Sequence, residues 1–142
     1  MRRFTNRLGA LAAATLLVLT GTSAAQADGH AQAAYFNLRD VTRSDFVIKL
    51  TDPEKIREAR EIIDSGERKI VIGRIETQRA AYNPRWNFHY QPDTVGFTDA
   101  AIEVCDATIP YVEEHLDEVG GAFLPGRVWC PWSGRLTQEI TP

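Results

Sequence analysis

Cysteine and histidine are scarce in this 142-residue chain: two of the first, 25 positions apart, and three of the second. That scarcity excludes the Cys/His spacings of zinc sites and a Cys-x-x-Cys redox centre. Glycine-rich phosphate loops are missing too, and Ser44, Ser65 and Ser133 have no nucleophile motif around them. No cofactor and no metal are therefore expected. Past the first few residues no cluster of lysine and arginine stands anywhere in the sequence. Nucleic acid and anionic membranes are accordingly not expected as partners. Long apolar runs are just as rare. The one candidate, residues 8–19, is too short to span a bilayer comfortably, and no cysteine lies near its end to carry a lipid.

What that run does fit is an export signal. Arg2, Arg3 and Arg7 make a basic start, the apolar stretch follows, and Ala25-Gln26-Ala27 offers small residues for cleavage. Residues 1–27 read as a signal peptide, with general secretion favoured over the twin-arginine route because the residues after Arg3 match the latter poorly. The mature protein is then placed outside the cytoplasm, extracellular or periplasmic. The signal takes three of the 16 basic residues and none of the 19 acidic ones, so the mature chain carries a net charge of −6. Its length of about 115 residues supports one core, not two.

In an oxidising compartment Cys105 and Cys130 should pair. They would close a loop of 26 residues, for which the chain-entropy model gives about 3.5 kcal/mol.

Along the mature chain, residues 28–33 are small and polar and read as a disordered leader, followed by a single domain over residues 34–142. Residues 35–38 and 45–50 are short β-type runs, with Phe46, Ile48 and Leu50 alternating in the second. A helix starts either with Asp52 as cap and Pro53 in its first position or with a Thr51–Glu54 capping box, Ile56, Ala59, Ile62 and Ile63 recur at helical spacing, and Gly66 supplies the stop. Residues 69–76 are β-branched and mostly apolar, as in an inner strand.

Residues 86–91 alternate, with Trp86, Phe88 and Tyr90 on one side and Asn87, His89 and Gln91 on the other. Gln91-Pro92-Asp93-Thr94 predicts a tight turn, after which Tyr90 would face Val95, Phe88 would face Phe97 and His89 would face Gly96. A bulge near Thr98-Asp99 would then turn Ala100, Ile102 and Val104 onto the apolar face. Asp106 or Thr108 caps a second helix with Ile109, Val112, Leu116 and Val119 as its stripe, ending at Gly120-Gly121. Leu124-Pro125-Gly126 is a turn, and residues 136–140 form a last strand. The whole predicts an α+β fold: a mainly antiparallel sheet with two helices on one face and one disulfide.

Three sets of residues are candidates for function. His89 with Asp93, Glu103 and Asp106 is the one acid/base group that strand pairing would bring together, and His89, Glu103 and Asp106 would serve a small hydrolase or a metal-dependent enzyme. Tyr82, Trp86, Trp129 and Trp132 would make an aromatic platform if exposed, or close a small core around the disulfide if buried. Residues 77–85, with Arg79 and Arg85 around small residues and Asn83-Pro84 favouring a turn, are either a loop presented to a protease as an inhibitory segment or an ordinary surface connection. His115, among Glu113, Glu114, Asp117 and Glu118, reads as a helix-surface ion pair.

Laid end to end, Tyr82-Asn83-Pro84-x-Trp86-x-Phe88-His89, Ala101-Ile102-Glu103-Val104-Cys105-Asp106, Tyr111-Val112-Glu113-x-His115-Leu116, Gly120-Gly121-x-Phe123-Leu124-Pro125-Gly126 and Trp129-Cys130-Pro131-Trp132 resemble one family. It comprises small secreted bacterial proteins similar to the amino-terminal module of a slime-mould calmodulin-binding protein. The likeness spans residues 46–140 and lends neither an enzymatic activity nor catalytic residues. Calmodulin binding through this domain is not expected, because calmodulin targets are basic amphipathic helices. Here residues 52–64 hold five acids against three bases, and residues 108–119 hold four acids with no lysine or arginine.

The reading that follows is an exported acidic module that binds another secreted protein through residues 77–85, residues 129–133 or both, with Arg79, Tyr82, Trp86, His89, Trp129 and Trp132 as contact residues. Inhibition of a secreted enzyme is one form this could take. The enzyme using His89, Glu103 and Asp106, and a structural domain without a small-molecule site, are the alternatives.

Overall fold

The structure is a computed structural model and describes residues 32–142. The expected signal peptide and most of the expected leader lie outside those residues.

Strand β1 (Ala34–Arg39) and β2 (Asp45–Leu50) form an antiparallel hairpin in which Phe36 faces Ile48 and Leu38 faces Phe46. Period-two alternation puts these four side chains on one face, and all four are buried. Helix α1 (Pro53–Ser65) starts as its sequence requires. The Asp52 carboxylate accepts the N–H groups of Glu54 at 2.8 Å and Lys55 at 3.4 Å, and Pro53 occupies the first turn. Gly66 ends it in the left-handed region at φ 69°, where a side chain is strained. Ile56, Ala59 and Ile62 form its buried stripe.

The chain then crosses to β3 (Ile70–Glu76), the hub of a second sheet. Three short strands pair with it, all antiparallel: β4 (His89–Tyr90), β5 (Gly96–Thr98) and, later, β8 (Val128–Trp129). Here the structure corrects the expected hairpin. The tight turn exists, since Thr94 N–H donates to Gln91 O at 3.0 Å. The two arms nevertheless pair with β3 instead of with each other: Tyr90 faces Ile75 and Gly96 faces Ile72. The β-branched strand β3 offers both arms a longer partner than either offers the other.

Residues 99–102 do not continue as a strand. They lead into a 3-10 turn, Glu103–Cys105, that leaves Ile102 70% exposed and Val104 exposed as well. The expected burial of that apolar phase is therefore wrong, and the disulfide explains why. Cys105 must turn inward to reach Cys130, and both sulfurs are buried.

Helix α2 (Ile109–Glu114) is also shorter than its apolar stripe suggested. His115 N–H bonds Val112 O, three residues back, and its ring bonds Tyr111 O at 2.8 Å. The chain continues through turns to β6 (Val119–Gly120), parallel to β7 (Phe123–Pro125). The last strand, β9 (Arg135–Ile140), returns to pair with β1, giving a sheet ordered β2-β1-β9. Arg60 of α1 clamps it, donating to both Glu139 carboxylate oxygens at 2.8 and 2.7 Å.

An aromatic cluster joins the two sheets. Trp129 is 0% exposed; it stacks on Tyr90 with ring centroids 4.9 Å apart and meets Phe46 and Phe88 edge-on at 5.2 and 5.3 Å. Such pairs add about 0.5–1.5 kcal/mol each beyond their burial.

Candidate functional site

Residues 77–88 fold back over β2 and are pinned there. Asn83, which is buried, accepts Val47 N–H at 3.0 Å and donates to Phe88 O at 3.2 Å. The Trp86 indole donates to Asp45 O at 2.7 Å, and the Asn87 N–H donates to Glu113 of α2 at 2.9 Å. The segment is thus a series of turns covering a sheet edge. Asn83 is the residue that sequence reasoning missed, because its partner at Val47 lies 36 positions away in the chain.

Several candidate contact residues lie on this cover. Tyr82 is half-buried between Tyr35, at 5.4 Å, and His89, at 6.1 Å, with the Lys49 ammonium 6.0 Å from its ring centre. Burial pushes the Tyr82 hydroxyl up to about 12, so it stays a neutral donor at any ordinary pH. Arg79 is exposed and bonds Asn87 Oδ1 at 3.0 Å, and the Arg85 guanidinium lies over Trp86.

His89 does not meet its expected acids. Its Nδ1 bonds Gln78 O at 2.7 Å; a carbonyl can only accept, so this nitrogen carries the proton. The Asp106 carboxylate accepts Trp132 N–H at 2.8 Å instead, and the Asp106 N–H bonds the backbone carbonyl of Glu103. Among the described residues no group of three His, Cys, Asp or Glu side chains is placed to hold a metal ion. His115 is likewise not in the expected ion pair; it stacks on Tyr111 at 4.0 Å.

The second candidate region is the corner at residues 129–133, and here the tryptophans part company. Trp129 belongs to the core, with its indole N–H given to Ala107 O at 2.9 Å, and it has no free face to offer. Its expected role as a contact residue is corrected on that ground. Trp132 is 42% exposed. Its backbone is fixed by Asp106, and the Cys105–Cys130 bridge and the Cys130 N–H to Cys105 O bond at 2.8 Å hold the strand end before it. Beside it, Val41 N–H reaches Ser133 Oγ at 3.4 Å, which brings the tip of the β1–β2 turn to the same corner; Val41 is 72% exposed. No periodicity in the sequence marks Val41 as a surface residue. Among the described residues no helix is long and apolar enough to cross a membrane.

A family model described as the BP-74 N-terminal domain matches residues 32–142. No curated protein and no solved structure matches the chain.

Proposed function

The chain belongs to the family of BP-74 N-terminal domains, and from that premise we propose that it is an exported binding module that grips another extracellular protein through the Trp132 corner. One observation carries the reading: a large ring and an aliphatic side chain, Trp132 and Val41, stand exposed on backbone that is held from three sides. A contact ring on rigid backbone loses little entropy on binding, which is how aromatic residues come to anchor interfaces. The paired cysteines and the signal-like residues 1–27 support a location outside the cytoplasm. The mature chain then starts at Asp28, which amino-terminal sequencing of the exported protein checks.

The test is capture. Mature protein, immobilised, is exposed to culture supernatant from the producing cells, beside Trp132→Ala and Tyr82→Ala. A specific protein retained by the wild type and by Tyr82→Ala, and lost with Trp132→Ala, supports the corner. Equal retention by Trp132→Ala, or no specific protein at all, overturns it.

A further inference from the structure

We propose that Arg39, Arg68 and Arg135 form a binding site for a dianionic oxyanion of the phosphate or sulfate class. A row of charges across the first sheet is its foundation. In the strand register Asp45, Arg39 and Arg135 are consecutive cross-strand neighbours on β2, β1 and β9. Directly opposed residues of an antiparallel pair share a face, and like charges so placed destabilise it. Arg39 is answered on one side: its guanidinium donates to both Asp45 oxygens at 2.7 and 2.8 Å. Arg135 is not; among the described residues no carboxylate lies within ion-pair distance of it, nor of Arg68.

Arg68 arrives from elsewhere in the chain, two residues past the left-handed Gly66 that ends α1. Together with Val41 and Ser133, the three arginines line one open concavity of about 320 Å3. Asp40 also borders it, but its oxygens are turned to the Ile109, Thr42 and Ser44 N–H groups. Thr137 gives its hydroxyl to Asn37 O, whereas Ser133 Oγ accepts Val41 N–H and keeps its own hydrogen to donate. Two unanswered guanidinium forks and a free hydroxyl line the same concavity, and guanidinium is the side-chain group best matched to tetrahedral oxyanions. The mature chain is acidic overall, so the pull is local to this concavity and not a consequence of net charge. The concavity borders the Trp132 corner through Val41 and Ser133, but its three arginines are no part of that corner, so anion binding is tested without a protein partner.

The experiment uses the mature protein at fixed ionic strength, titrated with sodium sulfate, sodium phosphate and sodium acetate while the arginine Nε–H resonances are followed by NMR. Sulfate and phosphate at about pH 8 should give saturable shifts, phosphate weakening progressively between about pH 8 and about pH 6 as it loses its second charge while sulfate does not. Acetate should bind about tenfold more weakly, and Arg68→Gln or Arg135→Gln should weaken sulfate about tenfold, as expected for one lost charge-assisted contact. Arg57→Gln, on the exposed face of α1, should change nothing. Arg135→Gln should melt no lower than the wild type, because it relieves the opposed charges. Should it fail to fold, Arg135→Lys keeps the charge without the fork and should still weaken binding. Shifts that do not saturate, acetate equal to sulfate, or folded arginine variants with unchanged affinity would each overturn the proposal.

Discussion

The Asp40 carboxylate accepts the backbone N–H of Ile109 at 2.7 Å across 69 residues of sequence. Asp40 is buried, and the same side chain organises the β1–β2 turn through Thr42 N–H at 2.9 Å and Ser44 N–H at 3.4 Å. Thr108, at the cap position of α2, gives no side-chain bond, so the helix takes its cap from the distant hairpin. One carboxylate thus fastens the first sheet to the disulfide-bearing half.

Removing that tie should be costly. Asp40→Ala leaves a buried N–H without a partner, and the expected loss is about 2–3 kcal/mol in urea unfolding. Asp40→Asn, which keeps an acceptor, should recover part of it. A loss of the same size from Asp40→Asn would show that charge, not the hydrogen bond, sets the value.

The two tryptophans around Cys130 should behave oppositely. Trp129→Ala empties the centre of the aromatic cluster and should cost about 3–5 kcal/mol. For a domain of this size that is a large share of the total. Trp132→Ala touches only an exposed ring and should stay within about 0.5 kcal/mol of the wild type. Thermal melts of the two variants decide the point. A Trp132→Ala protein that melts like Trp129→Ala would mean the corner is core.

What the sequence announced was what it specifies locally. Asp52, Pro53 and Gly66 bracket α1 within its own span, and the alternation of Phe46, Ile48 and Leu50 fixes which face of β2 is buried. The pairing of Cys105 with Cys130 followed from their number. The failures are all decisions made by distant partners. Tyr90 and Gly96 have the pattern of a hairpin, yet β3 claims both. Ile102 and Val104 alternate like a strand, yet the turn into Cys105 leaves them in solvent. Trp129 and Trp132 flank the same Cys-Pro pair, and no local rule says which ring goes inward. Arg39, Arg68 and Arg135 come from a strand, a loop and another strand, so their common concavity is invisible as a run of charge.

Acid should weaken the first sheet through Asp45. Hydrogen bonds from Arg39 and then Asn37 hold its carboxyl down, from 3.8 to about 2. A carboxyl whose folded pKa is depressed contributes stability above the unfolded value and loses it as pH falls through the folded one. The urea midpoint of the wild type should therefore exceed that of Asp45→Asn by a constant amount from neutral pH down to about 4, then converge on it toward about 2. The side chain is partly exposed, so the gap should be small and should shrink with added salt. A gap that persists at the lowest pH would assign the effect to packing.

The disulfide should act mainly on the unfolded chain. Cys105 and Cys130 close a 26-residue loop that contains α2, β6, β7 and β8, and the chain-entropy model assigns this closure about 3.5 kcal/mol. Replacing both cysteines by alanine should cost about that much, with Trp132 freed from its fixed backbone and its fluorescence shifted accordingly. Hydrogen exchange tells where the loss falls. The N–H of Cys130, bonded to Cys105 O at 2.8 Å, should lose protection first, while Val47, bonded to Asn83, should track only global unfolding. If both amides lose protection together and to the same extent, the bridge stabilises the whole domain as one unit and the corner has no independent rigidity to give a partner.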